Sequence, residues 1–83
     1  DASGRVSIVE MSVHRAWIGH TVTSLEHAAG ARVAYLTRWG RGEITRPDHV
    51  VQENDVAHVL CEPERANAVQ RVLATPPTRR SES

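Results

Sequence analysis

Apolar and polar residues alternate over residues 5–13, with Val6 and Ile8 in one phase and Val9, Met11 and Val13 in the other. Alternating β-branched residues predict a strand, and the change of phase predicts that both of its faces are covered or that a bulge interrupts it. Residues 14–20 then form a connecting segment, in which Gly19 interrupts any helix and Trp17 and Ile18 are expected to pin the loop to the core. Thr23-Ser24-Leu25-Glu26 fits a capping box: the Thr23 side chain accepts from the amide three residues on, and Glu26 reaches back to the cap amide. A helix of about two turns is predicted there, burying Val22, Leu25, Ala28 and Ala29 and ending at Gly30 in the left-handed conformation of a C-cap.

Residues 31–38 are apolar on both alternate sets in their middle and charged near their ends, the pattern of a central strand. Trp39-Gly40-Arg41-Gly42 turns the chain, its two glycines permitting positive φ, and residues 43–46 return as a short strand to complete a hairpin. Pro47-Asp48 bends the chain again, Val50 and Val51 bury a small apolar knob, and Glu53-Asn54-Asp55 makes a turn into a strand over residues 56–61. Pro63 opens a last helix that presents Ala66, Val69, Val72 and Leu73 on one face. From Pro76 onward nothing apolar offsets the entropy of ordering, so a disordered tail is expected. The pattern is therefore β-α-β-β-β-α, one α+β domain over residues 1–75 and a tail over 76–83, without an internal repeat.

Composition narrows what such a domain does. A chain of 83 residues hides only roughly 60% of its unfolded surface, so a pocket is expected to be shallow or shared between two copies. Ten acidic residues cancel ten basic ones, all of them Arg, which removes the usual warrant for a nucleic-acid or anionic-membrane partner. No apolar run approaches the roughly 18–20 residues that cross a bilayer, and the opening Asp1-Ala2-Ser3-Gly4, without Met, reads as a piece of a longer protein. The lone Cys61 makes no intramolecular disulfide, so a cytoplasmic location is expected.

Candidate chemistry is sparse. His14, His20, His27, His49 and His58 lie in different elements at no metal-ligand spacing, and no metal site is expected. His58 alternates with Val56 and Leu60 and reads as a strand histidine, hydrogen-bonded or half exposed, while His27 faces solvent or an interface. Cys61 ends an apolar strand, where a cysteine is a packed side chain, and no base, Gly-x-Ser-x-Gly elbow or glycine-rich phosphate loop accompanies it. Arg79-Arg80 reads as a solvated doublet. Trp39, between Arg38 and Gly40, is either packed on its turn or exposed for an interface.

Three stretches in this order resemble the TrkA C-terminal, or RCK C, domain: Trp17-Ile18-Gly19-His20-Thr21-Val22-x-x-Leu25-Glu26; Gly30-Ala31-Arg32-Val33-Ala34-Tyr35-Leu36-x-Arg38-x-Gly40; and Pro47 with Val51-x-Glu53-Asn54-Asp55-Val56-x-x-Val59. The likeness runs over residues 5–73. A Gly-Asp turn usual in the family is Asn54-Asp55 here, and Asn is the residue after Gly that best tolerates a left-handed backbone.

The resemblance implies a mainly antiparallel sheet with two helices, assembled as a homodimer. It also implies a cytoplasmic regulatory subunit that controls potassium uptake or cation/proton antiport through a membrane transporter or channel partner, without inserting in the membrane itself. In such proteins a separate dinucleotide-binding domain comes first; no Gly-x-Gly-x-x-Gly occurs here, so nicotinamide and ATP are not assigned to this chain and no cofactor is expected in it. Some members bind cyclic di-AMP across the two-fold axis, and the matching positions are Ala31, Arg32, Val33 and Pro47. Backbone amides there would meet base edges, Val33 and Pro47 would cover adenine faces, and Arg32 would reach a phosphate. Nucleotide-binding relatives tend to carry a basic residue in the preceding helix, where this chain has Glu26-His27-Ala28-Ala29. A purely structural dimerisation domain is the rival expectation; a small enzyme is a third, opposed by the missing nucleophile–base pair.

Overall fold

A computed structural model describes residues 5–78. Strand β1 (Ser7–Ser12) leads through a 3-10 turn (Arg15–Trp17) to helix α1 (Val22–Ala29), followed by strands β2 (Arg32–Arg38), β3 (Arg41–Ile44) and β4 (Val56–Cys61). A second 3-10 turn (Pro63–Arg65), opened by the proline as expected, runs into helix α2 (Ala66–Leu73). The four strands make one antiparallel sheet in the order β1-β4-β2-β3, with β1 and β3 at the edges. The β-α-β-β-β-α order and the α+β class are those read from the sequence.

Register explains which residues are core. Val9, Val59 and Val33 form one row across the sheet, and Met11, Ala57 and Leu36 the next. Against these rows pack Val22, Leu25 and Ala29 of α1 and Val69 and Leu73 of α2, making a single core. Alternate residues face away from the helices: Ile8, Leu60 and Arg32 in one row; Glu10, His58, Tyr35 and Ile44 in the next. The two apolar phases of β1 thus point to opposite faces, and only one is covered, since Ile8 remains 55% exposed. Neither alternative expected for β1 holds, since its pairing with β4 is unbroken and one face is open; the bulge lies in β2, where pairing with β4 shifts between Val33 and Tyr35 and leaves Ala34 as the extra residue.

Several local expectations change in the same way, through tertiary contacts that outrank the local signal. Trp17 is buried and its indole Nε1 donates to the Thr75 carbonyl at 2.8 Å, but Ile18 is exposed, because the 3-10 turn stops at Trp17 and the next residue is extended. Helix α1 is capped two residues earlier than expected, at Thr21 rather than Thr23. The Val22 amide donates to the His49 carbonyl at 2.7 Å, which holds Thr21 extended, and the Thr21 hydroxyl then accepts from the Ser24 amide at 3.1 Å. Thr23 lies inside the helix, and Ala28, one turn past Ser24, is exposed rather than buried. Gly30 ends the helix at φ 66°, its amide donating to the Glu26 carbonyl.

The hairpin is tighter than expected. Arg38 pairs with Arg41 across a two-residue turn in which Trp39 (φ 53°) and Gly40 (φ 78°) are both left-handed, the geometry whose twist matches paired strands. Trp39 therefore takes the position expected of a second glycine, and its side chain is 76% exposed. Gly42 lies within β3, which ends at Ile44 rather than continuing to Arg46. Farther on, Val51 is buried whereas Val50 is partly exposed, and Asn54 is left-handed at φ 70°, as expected. Residues 76–78 carry no helix or strand; the rest of the expected tail, with Arg79 and Arg80, lies outside the described residues.

An ion pair closes the loop between β3 and β4. Asp55 is buried, and the Arg38 guanidinium grips it with a fork: Nε to Oδ1 at 2.8 Å and Nη2 to Oδ2 at 2.9 Å. The Gln52 amide donates to the same Oδ2 at 2.9 Å. Burial by itself would raise the Asp55 carboxyl, but the Arg38 hydrogen bonds, the Gln52 amide and nearby positive charge outweigh it and hold the group below its ordinary value. The same hydrogen bond raises Arg38.

Arg38→Met leaves that carboxylate buried without its partner, and urea unfolding at neutral pH is expected to show a loss of about 3 kcal/mol. Because the folded Asp55 pKa lies below the unfolded one, its contribution is complete above the unfolded carboxyl range, about pH 4, and is lost as pH falls through the folded value. Thermal melts should therefore decline steeply in acid for the wild type and less steeply for Asp55→Asn.

Candidate functional site

Four sequence-selected residues surround the place where α1 hands over to β2. Gly30 turns the chain out of the helix, and Arg65 locks that turn from the second 3-10 turn, its guanidinium donating to the Gly30 carbonyl at 2.7 Å and the Ala29 carbonyl at 3.3 Å. The chain then enters β2 with Arg32 exposed on the open side of the sheet and Val33 buried on the helical side. From the other direction the segment after β3 is drawn in by two threonines. The Thr23 hydroxyl donates to the Pro47 carbonyl at 2.7 Å, and the Thr45 hydroxyl donates to the Val33 carbonyl at 3.2 Å.

These ties leave a cleft of about 410 Å³, lined by Thr23, Glu26, Arg32, Val33, Pro47 and Leu60 among others. Arg32, Val33 and Pro47 are thus brought together. Ala31 is not in this cleft but borders an adjoining hollow, which shares Thr23, Glu26 and Arg32 with it.

Sequence reasoning misplaced Glu26. Its carboxylate does not return to the helix cap but reaches forward, Oε2 accepting from the Val33 amide at 2.8 Å. Val33 therefore has both backbone groups satisfied within the chain, and its amide is not open to a base edge as expected. The capping-box spacing drew Glu26 to the wrong amide because the competing donor lies on another element.

Next to the cleft, on the open face, the His58 and Tyr35 rings stack with centroids 4.2 Å apart and planes within 9°, and His58 also hydrogen-bonds Thr37. This is the hydrogen-bonded strand histidine the alternation suggested. Cys61 is buried at the end of β4. Among the described residues no three of His, Cys, Asp and Glu gather as metal ligands, and no helix is long and apolar enough to cross a membrane.

Comparison with known proteins gives the family of the chain. The family model described as the TrkA-C domain matches residues 6–74. The chain belongs to the TrkA-C domain family. It is 31% identical over 77 residues to the Trk system potassium uptake protein TrkA of Streptomyces coelicolor, an alignment that takes in 93% of this chain and 34% of that protein. This TrkA-C domain thus spans about a third of the length of that relative.

Glu26 gives a direct check on the cleft. Glu26→Ala leaves the Val33 amide without its acceptor in a partly buried place, so unfolding should show a loss of about 1–3 kcal/mol. Hydrogen exchange should at the same time become faster at Val33 and stay unchanged at Val59, its neighbour across the sheet.

Proposed function

We propose that this TrkA-C domain is the ligand-sensing and dimerising part of a regulatory subunit for potassium transport. It works on the cytoplasmic side of a membrane cation transporter or channel and does no chemistry of its own. The reading is supported by membership of the TrkA-C family and by likeness to a protein named for potassium uptake. One observation carries the rest: the cleft opens onto the uncovered face of the sheet, and the two share Arg32 and Leu60.

That face is apolar enough to take a partner. Ile8, Leu60 and Ile44 are 55%, 37% and 84% exposed, in two adjacent rows of the sheet. Such a group on a small domain marks an interaction surface. A second copy laid on it about a two-fold axis would bring two clefts together, each contributing the same residues to one symmetric ligand. Cyclic di-AMP fits that symmetry. Arg32 would meet a phosphate, and Val33 and Pro47 would cover the bases. Glu26 is the one acid in the cleft, and its hold on the Val33 amide favours the rival reading, a dimer that binds nothing.

Calorimetry with cyclic di-AMP, ATP and NADH, combined with light scattering, separates these readings. The expected result is a dimer that releases or takes up heat with cyclic di-AMP alone, with Arg32→Ala weakening the affinity by about 1.5–3 kcal/mol. Ile44→Glu should give monomers. A dimer that shows no heat with any of the three would leave the scaffolding role, and a wild-type monomer at high concentration would remove both.

A further inference from the structure

A second hollow lies in the helical layer and shares no lining residue with the cleft at Arg32 and Pro47. It is a groove of about 810 Å³ between α1 and α2, bordered also by residues 76–78. Both helices turn a matching face to it: Ser24, His27 and Ala28 from α1, and Ala68, Arg71 and Val72 from α2. Each set has the i, i+3, i+4 spacing of one helix face, so these residues oppose one another across the groove.

Charge along this groove is one-sided. Arginines and acids balance over the whole chain, yet no Asp or Glu lines the groove, while Arg71 and the polar rings of His20 and His27 do. None of these three side chains makes an ion pair or donates a hydrogen bond among the described residues. Two carbonyls at the end of α2 are already covered by donors, Arg71 by the Thr75 hydroxyl at 2.6 Å and Thr75 by the Trp17 indole at 2.8 Å. The remaining surface, Ala28, Ala68, Val72 and the prolines, is apolar, and the volume falls in the small-molecule range of roughly 300–1,000 Å³.

We infer that this groove binds a small amphipathic acid, an alkyl or aryl body ending in a carboxylate or phosphate. The body lies on Ala28, Ala68 and Val72 and the acid group among His20, His27 and Arg71. The inference does not depend on the cyclic-dinucleotide reading, which concerns a different hollow.

The test is a chemical-shift titration of the whole chain with decanoate, decyl phosphate, decanol and decylamine, each below its micelle concentration. The acids are expected to shift the Trp17 indole proton and the amides of Ser24, His27 and Arg71. They should bind about tenfold or more tightly than the alcohol and the amine, and the order of the two acids tells carboxylate from phosphate. Replacing His27 and Arg71 by Gln should bring acid affinity down to that of decanol with the melting temperature unchanged, since both side chains are exposed. Acids that bind no better than decanol, shifts centred on the open sheet face instead of the groove, or no shifts at all would each overturn the inference.

Discussion

Hydrophobic burial in this domain is one-sided. Met11, Val33, Leu36, Ala57 and Val59 all face two short helices, and among the described residues nothing lies over the opposite side of the sheet. A small chain has too little material to cover both faces and still close a core. The domain spends its helices on one face, and the other keeps Ile8, Leu60 and Ile44 in contact with water. The position of the cleft follows from this choice. Arg32 and Leu60 belong to the open face, Val33 to the covered one, and Thr23 and Pro47 to the segments that wrap the boundary.

Element order was legible because its signals are local. Gly30, Asn54 and Pro63 each stand where a backbone constraint demands that residue type or tolerates few others, and each behaves as read. The partial burial of β1 was not legible. Val6 and Ile8 look as apolar as Val9 and Met11, and one sequence does not tell a core face from one left uncovered. Helix α1 shows the same limit: Thr21 and Thr23 are both acceptable caps, and a hydrogen bond from Val22 to His49 decides between them. The Arg38–Asp55 pair spans 17 positions, so no periodicity reveals it, although Asp55 stood in the motif that carried the family likeness.

At the site the division is similar. The resemblance selected Arg32, Val33 and Pro47, which the fold brings to one cleft, and Ala31, which it sets beside that cleft. Residue type alone did not show that Glu26 already fills the hydrogen-bonding position at Val33. A carboxylate accepting an amide in this way occupies a donor that a ligand of the same site would need. It also places negative charge in the cleft, which Arg32 opposes from the strand. The cleft thus sets one acid, Glu26, beside two arginines, Arg32 and Arg46, rather than a uniformly cationic surface.

The extra residue at Ala34 reaches beyond local geometry. In an unbroken strand Val33 and Leu36, three positions apart, would point to opposite sides; the bulge returns them to the same side. Strand β2 thereby works like a vernier, its first two residues set to one scale and its remainder to another. The segment before Ala34 is phased to present Arg32 beside the cleft, and the segment after it is phased to carry Leu36 into the core and Arg38 to Asp55. A single inserted residue lets the surface at the cleft and the interior that holds the fold be adjusted separately along one strand.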